Sequence, residues 1–258
     1  MSKYDYNYMI KKNKPDQKEQ FFECVIEELF NNADFKGYEC PVCGEKFPMF
    51  LPFSRRKKAF CPNCESLERQ RLIAYYFKNY TDIFSKPVKL LHFAPEPGLY
   101  NLFNNCSSID YLPVDLELRY CVKEQVDMCS IQYGDNSFDV IYNSHVLEHV
   151  VDDVKALNEL YRCVKPASEG GYVVIVIPLF RNMDYTLEKA EYNTPELRLK
   201  YYGQEDHLRK YGLDFKDKLI AVGFDVDELI CGDFVNDDLI KKYGLIPTET
   251  IYVCKKRI

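Results

Sequence analysis

The sequence predicts an α/β fold in which helices cover both faces of a doubly wound, mostly parallel sheet. The first observation behind this prediction is the alternation of strand-like and helix-like segments from Pro87 onwards. The second is the run Gly171–Pro178 (GYVVIVIP), whose nearly unbroken apolar character is typical of a strand buried on both faces. The third is the apolar content of 47% in 258 residues, which is enough for a large core.

Each element of the sheet domain follows from the local pattern of apolar residues and from the turn residues that bound it. The predicted strands, in chain order, are Val88–Ala94, Ile109–Asp115, Phe138–Ser144, Gly171–Pro178, Phe224–Ile230 and Thr250–Cys254. The predicted helices between them are Leu99–Asn105, Asp152–Val164 and Asp214–Val222.

Three regions are expected along the chain. Residues 1–34 contain an irregular start and an amphipathic helix capped by Asp16. Residues 35–86 contain paired cysteines and a connecting helix at about Ser66 to Asn79. Residues 87–258 form the sheet domain, and its long insertion at about 181–213 is expected to act as a substrate lid.

Composition excludes several classes of protein. The longest apolar run, Tyr172–Phe180, has nine residues against the roughly 20 of a membrane span, and the N-terminus shows no export signal. We therefore expect a soluble, cytoplasmic protein with no membrane insertion. The net charge is −6, of which residues 1–86 contribute +3 and the remainder −9. An acidic main body disfavours a nucleic-acid partner, which usually meets a basic surface.

Four of the 11 cysteines have the spacing of a structural zinc ribbon, since Cys40 and Cys43 form one C-x-x-C pair and Cys61 and Cys64 a second. Four cysteine ligands leave no open coordination position, so the Zn²⁺ would stabilise the segment without catalysing. An iron–sulfur or redox role is the alternative. The basic loop Arg55–Lys58 between the pairs is either a solvated loop or a surface for phosphate groups.

The carboxyl ends of three predicted strands carry residues suited to a nucleotide-type cofactor, because ligands of open α/β sheets bind there. They are the turn Ala94–Gly98 (APEPG), Asp115, and the segment Asn143–His145; Val126–Met128 adds a carboxylate and an apolar side chain. No G-x-G-x-x-G occurs, which disfavours NAD and FAD. S-adenosylmethionine (SAM) fits because it has ribose and adenine without a pyrophosphate. Considered alone, Asp115 could equally be an ordinary turn residue, and Asp127 could equally be the cap of a helix or turn.

These motifs together resemble the class I SAM-dependent methyltransferases and, within them, the methyltransferase type 11 group. The resemblance rests on LLHFAPEPG (90–98), VDLEL (114–118), DNSFDVIYNSHVLEHV (135–150), ELYRCVKP (159–166) and the strand at 171–178. It implies a Rossmann-like sheet of seven strands. The CPxC pairs, SLERQR (66–71) and GQEDHLRKYG (203–212) are similar to a bacterial subgroup associated with surface-glycan assembly.

The resemblance implies roles for individual residues. The loop formed by Ala94, Pro95, Glu96 and Gly98 would meet the methionine part of SAM, with Glu96 facing its amino group. Asp115, with Leu116 beside it, would bind the ribose, Asp127 and Met128 would flank adenine, and Asn143 and His145 would lie beside the sulfonium. The loop departs from the family pattern because it retains one glycine, Gly98.

Histidine supplies the candidate general base. We expect His92, inside a strand, to be a core residue. His145 has the position of a site residue, whereas His149 is expected to be structural, and a metal site for this pair is disfavoured because no third ligand is evident. His207 in the insertion is the preferred base, oriented by Glu205 or Asp206, although a capped, solvated turn is the alternative. The residues expected to meet the acceptor are Gln204, Arg198 and Arg209.

The sequence therefore predicts a SAM-dependent O-methyltransferase with a zinc ribbon. By resemblance alone, its acceptor is a polar small molecule such as a sugar, a sugar nucleotide or a phosphate-type decoration of surface polysaccharide. One alternative is an RNA methyltransferase that binds its substrate through the ribbon. Another is a non-catalytic binding protein with the same fold.

Overall fold

The computed structural model of the protein describes residues 37–54 and 56–256. The predicted amphipathic helix after Asp16, and Arg55 of the basic loop, lie outside the described residues. Within the described part of the chain, no helix is long and apolar enough to span a bilayer.

The described residues form one seven-stranded sheet and two small hairpins. The hairpin strands are β1 (Tyr38–Glu39), β2 (Lys46–Phe47), β3 (Leu51–Phe53) and β4 (Arg56–Phe60). The sheet strands are β5 (Val88–Phe93), β6 (Ile109–Asp115), β7 (Glu124–Gln125), β8 (Val140–Ser144), β9 (Tyr172–Val176), β10 (Phe224–Ile230) and β11 (Thr250–Lys256). Their order across the sheet is β10-β11-β9-β8-β5-β6-β7, with β11 antiparallel to both neighbours and the other pairs parallel. The prediction of a mostly parallel seven-stranded sheet is confirmed.

Helices pack on both faces of this sheet. Their bounds are α1 (Glu68–Tyr80), α2 (Pro97–Asn104), α3 (Asp153–Cys163), α4 (Pro195–Tyr202), α5 (Phe215–Val222), α6 (Cys231–Phe234) and α7 (Asp237–Tyr243). Asp152 caps α3 by accepting a hydrogen bond from the Lys155 amide, and Thr194 caps α4 in the same way. Gly203 and Gly223, in left-handed conformation, end α4 and α5 as the sequence predicts.

Alternating side chains of the central strands enter two separate cores. Leu90 of β5 packs in the core beneath the cysteine module and α1, whereas Leu91 packs in the core beneath α3 and α5. Val174 and Ile175 of β9 divide in the same manner. Since both faces of the sheet are buried, its central strands carry the continuous apolar runs seen in the sequence.

Arg71 of α1 joins the cysteine module to the C-terminal part of the chain. Its side chain is fully buried and donates hydrogen bonds to the carbonyl oxygens of Ala59, Ser66, Tyr243 and Gly244. The guanidinium also lies 3.9 Å from the ring centre of Phe50. These contacts fix the module against the sheet, so the two regions share one core.

Candidate active site

A cleft of about 710 Å³ opens at the carboxyl ends of β5, β6 and β8. This is the position where open α/β sheets bind ligands, and the volume lies within the range of small-molecule sites. Six of the ten residues predicted to bind the cofactor line it: Ala94, Asp115, Leu116, Asp127, Met128 and His145. Its other walls include Val126, Cys129, Val146, His149, Val151 and Asp206.

Two strand ends at the cleft have strained backbone conformations. Ala94 follows β5 with φ of +50°, and His145 follows the neighbouring strand β8 with φ of +55°. Side-chain-bearing residues rarely adopt this left-handed conformation, and it is concentrated at functional sites. The strain turns the chain sharply at both strand ends and places both residues against the cleft.

The cleft presents two carboxylates from neighbouring turns. Asp115 Oδ1 accepts a hydrogen bond from the Leu116 amide, and Oδ2 accepts one from Arg119 Nε at 2.7 Å. Asp127 Oδ1 accepts a bond from the Cys129 amide at 2.8 Å. The Val126 amide donates to the Asp115 carbonyl oxygen, which ties the two turns together. A ligand that binds the Asp115 carboxylate must therefore displace the exposed Arg119 side chain.

The rest of the predicted cofactor loop does not face the cleft. Glu96 Oε1 accepts a hydrogen bond from Gln70 Nε2 at 3.0 Å, and Glu96 Oε2 lies 3.4 Å from His92 Nε2. Burial opposes ionisation, but the contact with His92 outweighs it and lowers the pKa of Glu96. The predicted contact of this carboxylate with the SAM amino group stays a prediction, whereas His92 is the fully buried core residue that the sequence predicts.

Gly98 has a different role from the one predicted. A Cβ atom at this position would lie 2.8 Å from the Cys64 carbonyl oxygen and 3.3 Å from Val42 Cγ1. The glycine thus lets α2 approach the cysteine module, not the cofactor. Pro95 and Asn143 also lie behind the cleft wall, and both amide atoms of the fully buried Asn143 side chain have no hydrogen-bond partner among the described residues.

The four paired cysteines come together at one point. Cys40 Sγ lies 3.6 Å from Cys64 Sγ, and Cys43 Sγ lies 3.8 Å from Cys61 Sγ, with all four sulfurs within 4.8 Å of one another. A tetrahedral ion with bonds of about 2.3 Å would hold its sulfurs about 3.8 Å apart. Ser66 Oγ lies 3.2 Å from the sulfurs of both Cys40 and Cys64. The cluster therefore has the dimensions of a tetrathiolate zinc site.

His145 lines the cleft at the end of β8. Its side chain is 27% exposed, and its Nδ1 lies 3.4 Å from Oε1 of the fully buried Glu148. Burial lowers the pKa of His145 well below its ordinary value, so the ring is neutral at neutral pH. Burial likewise raises the pKa of Glu148 to about 7. A neutral imidazole at a strand end can accept a proton from a bound molecule.

His207 lies deeper than the sequence analysis expects. Its side chain is buried, its ring packs edge-on against His149 at 4.7 Å, and it is not part of the cleft wall. Burial lowers the pKa of His207 to about 4. Asp206 Oδ2 contacts His149 Nδ1 at 3.2 Å, so the carboxylate expected to orient His207 orients its neighbour instead. Gln204 and Glu205 are exposed.

The prediction that Arg209 meets the acceptor is wrong, because the guanidinium is 1% exposed and used inside the protein. It donates hydrogen bonds to the carbonyl oxygens of Leu147 and Val151, and a bidentate pair joins it to Glu188. These contacts hold the insertion against the turn that follows β8. Arg198 is partly exposed, and its Nε has no hydrogen-bond partner among the described residues.

The sequence analysis missed Arg69, which lies in the SLERQR motif at the start of α1. Its Nε is buried and has no hydrogen-bond partner among the described residues. Its positive charge opposes the raised pKa of Glu148 and contributes to the lowered pKa of Glu96 and of His145. A sequence does not reveal which of the two arginines in this motif keeps an unpaired buried nitrogen.

Residues 99–175, which run from α2 to β9, match the model of the family Methyltransf_11, described as a methyltransferase domain. The match indicates a methyltransferase domain over these residues. The matched residues include Asp115, Asp127 and His145 of the cleft.

Two curated proteins resemble part of this chain. One is the ubiquinone/menaquinone biosynthesis C-methyltransferase UbiE of Bdellovibrio bacteriovorus, 43% identical over 63 residues, which are 22% of this chain and 26% of that protein. The other is an uncharacterized methyltransferase of Schizosaccharomyces pombe, 42% identical over 59 residues and 20% of each protein. The matches therefore span about a quarter or less of those proteins.

Solved structures with a similar arrangement include the YcgJ protein of Bacillus subtilis. It has a TM-score of 0.49 and 14% identity, and the match covers 73% of this chain and all of that one. The [4+2]-cyclase SpnF has the same TM-score and identity, and the match covers 94% of this chain and 96% of that one.

Proposed function

We propose that the protein transfers the methyl group of SAM to a hydroxyl of a polar small acceptor. The observation that supports this most directly is the cleft lined by Asp115, Asp127, Met128 and His145 within the methyltransferase domain. The volume of the cleft, about 710 Å³, is sufficient for the cofactor together with part of an acceptor.

The donor set of the cleft fits an adenosyl group. Asp115 offers a carboxylate to two ribose hydroxyls once Arg119, itself 54% exposed, turns away. Asp127 would meet the amino group of adenine, and the buried Met128 and Val126 would supply an apolar wall for the ring. When bound, SAM supplies a methyl group already activated by the adjacent positive sulfur.

The chain's own contribution to the reaction is to hold the acceptor and take its proton. His145 is neutral because burial lowers its pKa, and its Nδ1 side faces Glu148, so Nε2 is available to the acceptor hydroxyl. Positioning of this kind supplies about 7–11 kcal/mol, and a general base adds about 10²–10⁴-fold. The sequence-based choice of His207 as the base stays a prediction, and normal turnover by His207→Ala would refute it.

The four-cysteine cluster is proposed to hold a structural zinc ion. All four ligands are cysteines, so the ion has no open position for catalysis. Hydrogen bonds from Cys43 and its neighbours lower the pKa of Cys40, whereas bonds from Cys40 raise that of Cys61. A divalent cation would allow all four sulfurs to be thiolates together.

The class of acceptor is proposed from chemistry and from the resemblance of motifs. Arg69, with its buried unpaired Nε, and the partly exposed Arg198 would suit an anionic group of a sugar phosphate or sugar nucleotide. The place in surface-polysaccharide assembly rests on the motif resemblance alone. An RNA acceptor is disfavoured by the acidic sheet domain and because Arg56 of the basic loop pairs with Glu68 at 2.5 Å.

The test combines cofactor binding and methyl transfer. Calorimetric titration with S-adenosylhomocysteine is expected to show one site, and Asp115→Ala is expected to weaken it at least tenfold. Asp110→Ala, an exposed carboxylate on the same strand, is the matched control and retains full affinity. Equal affinity of Asp115→Ala and Asp110→Ala would contradict the assignment of the cleft.

Methyl transfer is then measured with labelled SAM against a panel of sugar phosphates, nucleotide sugars and RNA. His145→Asn is the informative variant, because asparagine tolerates the left-handed conformation that His145 adopts. We expect kcat to fall about 10²–10⁴-fold with unchanged affinity for S-adenosylhomocysteine. Unchanged kcat would remove His145 as the base, and transfer to RNA with a steep salt dependence would replace the small acceptor.

A further inference from the structure

Three metal-binding side chains meet at the edge of the cleft, outside the four-cysteine cluster. Glu148, His149 and His207 each place one ligand atom within 4.8 Å of the others. The first two follow β8, and His207 comes from the insertion far along the chain. His149 forms part of the cleft wall, whereas Glu148 and His207 lie buried behind it.

The buried members of this group are unsatisfied. Glu148 is fully buried, and neither of its carboxylate oxygens has a hydrogen-bond partner among the described residues. Both ring nitrogens of His207, which is 4% exposed, are likewise without a partner there. Each such group costs about 1–3 kcal/mol when left unpaired. Four unpaired acceptor or donor atoms around one point indicate that a further species satisfies them.

The nearby arginine does not fill this role. The Arg209 guanidinium is fully engaged by Glu188 and by the carbonyl oxygens of Leu147, Val150 and Val151. The contact of His145 Nδ1 with Glu148 is 3.4 Å long and lacks hydrogen-bond geometry, since Oε1 remains unpartnered. The carboxyl group of Glu148 therefore has no hydrogen-bond partner among the surrounding side chains that the structure describes.

The ligands are held in place before anything binds. Asp206 contacts His149 Nδ1 at 3.2 Å, which leaves Nε2 free and is the usual carboxylate support of a metal-binding histidine. The Leu208 amide donates to the Glu148 carbonyl oxygen at 2.8 Å, which fixes the residue after His207 to the residue before His149. The two segments therefore keep the three side chains together.

We propose that Glu148, His149 and His207 bind one divalent transition-metal ion at the edge of the cleft. Two imidazoles and one carboxylate suit Zn²⁺, Mn²⁺, Fe²⁺, Co²⁺ or Ni²⁺, whereas Ca²⁺ and Mg²⁺ prefer oxygen ligands throughout. Three protein ligands leave coordination positions for water or for an oxygen of a second molecule.

The ion gives a reason for the histidine-rich side of the cleft. A metal-bound hydroxyl loses its proton far more readily than a free one. An acceptor hydroxyl bound to the ion would pass its proton to His145 while its oxygen is held at the cleft. This catalytic role rests on the proposed function, but binding of the ion does not.

The test is a titration of the full chain with Mn²⁺, followed by the electron paramagnetic resonance signal of the free ion. Mn²⁺ is chosen because thiolate sites strongly prefer zinc, so the four-cysteine cluster does not take it up. The wild type is expected to bind one equivalent. His207→Ala and Glu148→Gln are expected to bind more than about 100-fold more weakly, since even a lost supporting residue costs about 10–100-fold.

Two controls make the result specific. Glu205→Gln removes an exposed carboxylate from the same segment, and His145→Asn removes a histidine outside the group; both are expected to retain Mn²⁺. An unchanged far-ultraviolet circular dichroism spectrum shows that each variant is folded. Failure of the wild type to bind Mn²⁺, or equal binding by His207→Ala, overturns the metal site. If the wild type binds Mn²⁺ but not S-adenosylhomocysteine, the proposed function is contradicted and the metal site is not.

Discussion

At the level of single residues, two buried arginines hold distant segments of the chain together. Arg71 and Arg209 are each almost wholly buried, and each donates to several backbone carbonyl oxygens from a different part of the chain. Breaking such an arrangement leaves carbonyl groups and a carboxylate without partners, which costs far more than an exposed ion pair contributes.

Replacement of Arg209 tests this reasoning. Arg209→Ala removes the partner of Glu188 and of the carbonyl oxygens of Val150 and Val151, so we expect the free energy of unfolding to fall by about 3–5 kcal/mol in urea denaturation. The control is Lys255→Ala, which removes a surface pair with Asp227 and is expected to cost less than about 1 kcal/mol. Equal losses in the two variants would contradict the structural role of Arg209.

Glu249 provides a prediction about pH. Burial raises its pKa to about 7, so the folded protein holds this proton more tightly than the unfolded chain, where the pKa is about 4.3. The contribution of Glu249 to stability is therefore present at low pH and lost as the pH rises from about 4 to about 7. Glu249→Gln removes this dependence.

The measurement is urea denaturation of both proteins at about pH 5 and about pH 8. The free energy of unfolding of the wild type relative to Glu249→Gln is expected to be lower at the higher pH. A difference that is the same at both values would show that the carboxylate is not shifted.

At the level of elements, the cysteine module and the cofactor loop form one unit. The start of α2 rests on the Cys64 knuckle, with Gly98 at the contact, and the same loop begins at the strained Ala94 of the cleft. The turn after β8 is held in a comparable way by Arg209 from the insertion. Both ends of the cleft are therefore supported by segments outside the sheet.

Gly98→Ala tests the contact between the module and the loop. The added Cβ would meet the Cys64 carbonyl oxygen at 2.8 Å, and a backbone atom cannot move aside alone, so we expect a loss of about 1–3 kcal/mol. Gly134→Ala is the control, since its nearest neighbour is a side-chain atom at 3.7 Å. An unchanged melting temperature for Gly98→Ala would show that the module does not support the loop.

The elements that could be predicted from the sequence are those with strong local signals. The bounds of β6 and β10 agree with the prediction, and Asp152 begins α3 and Gly203 ends α4 as expected. The two-residue strand β7 and the short helix α6 were missed, because such short elements depend on their neighbours and lack a periodic pattern.

The sequence likewise predicted some residues of the site and not others. Cleft residues such as Asp115 and His145 follow a strand end directly, and strand ends are visible in a sequence. The roles of Gly98, Arg209 and His207 depend on which distant segment each residue meets, and spacing along the chain does not contain that information. For the same reason the sequence shows no third ligand for the pair of His145 and His149, since His207 approaches His149 only in the folded chain.

At the scale of the whole molecule, the cleft lies where three parts of the chain converge. The sheet supplies the strand ends with Asp115 and His145, the insertion supplies Asp206 and the buried His207, and the loop before α2 supplies Ala94. Removal of the proposed zinc ion would loosen one of these parts, because the cysteine module shares its core with α1 and α2.

The response to a chelator tests the zinc proposal. After treatment with a strong chelator, the melting temperature is expected to drop, because the binding energy of a structural metal is part of the folding energy. Added Zn²⁺ is expected to restore it in the wild type but not in Cys61→Ser. Metal analysis that finds no zinc in the purified protein, with no effect of chelation, would contradict the proposal.

The central claim is that an adenosyl cofactor occupies the cleft at the carboxyl ends of β5, β6 and β8. The most direct test is a crystal structure of the protein grown with S-adenosylhomocysteine. The account predicts density for the ribose against Asp115, for adenine beside Met128, and for the sulfur on the side of His145. Density for the compound elsewhere, or a cleft closed by Arg119 in its presence, would contradict the account.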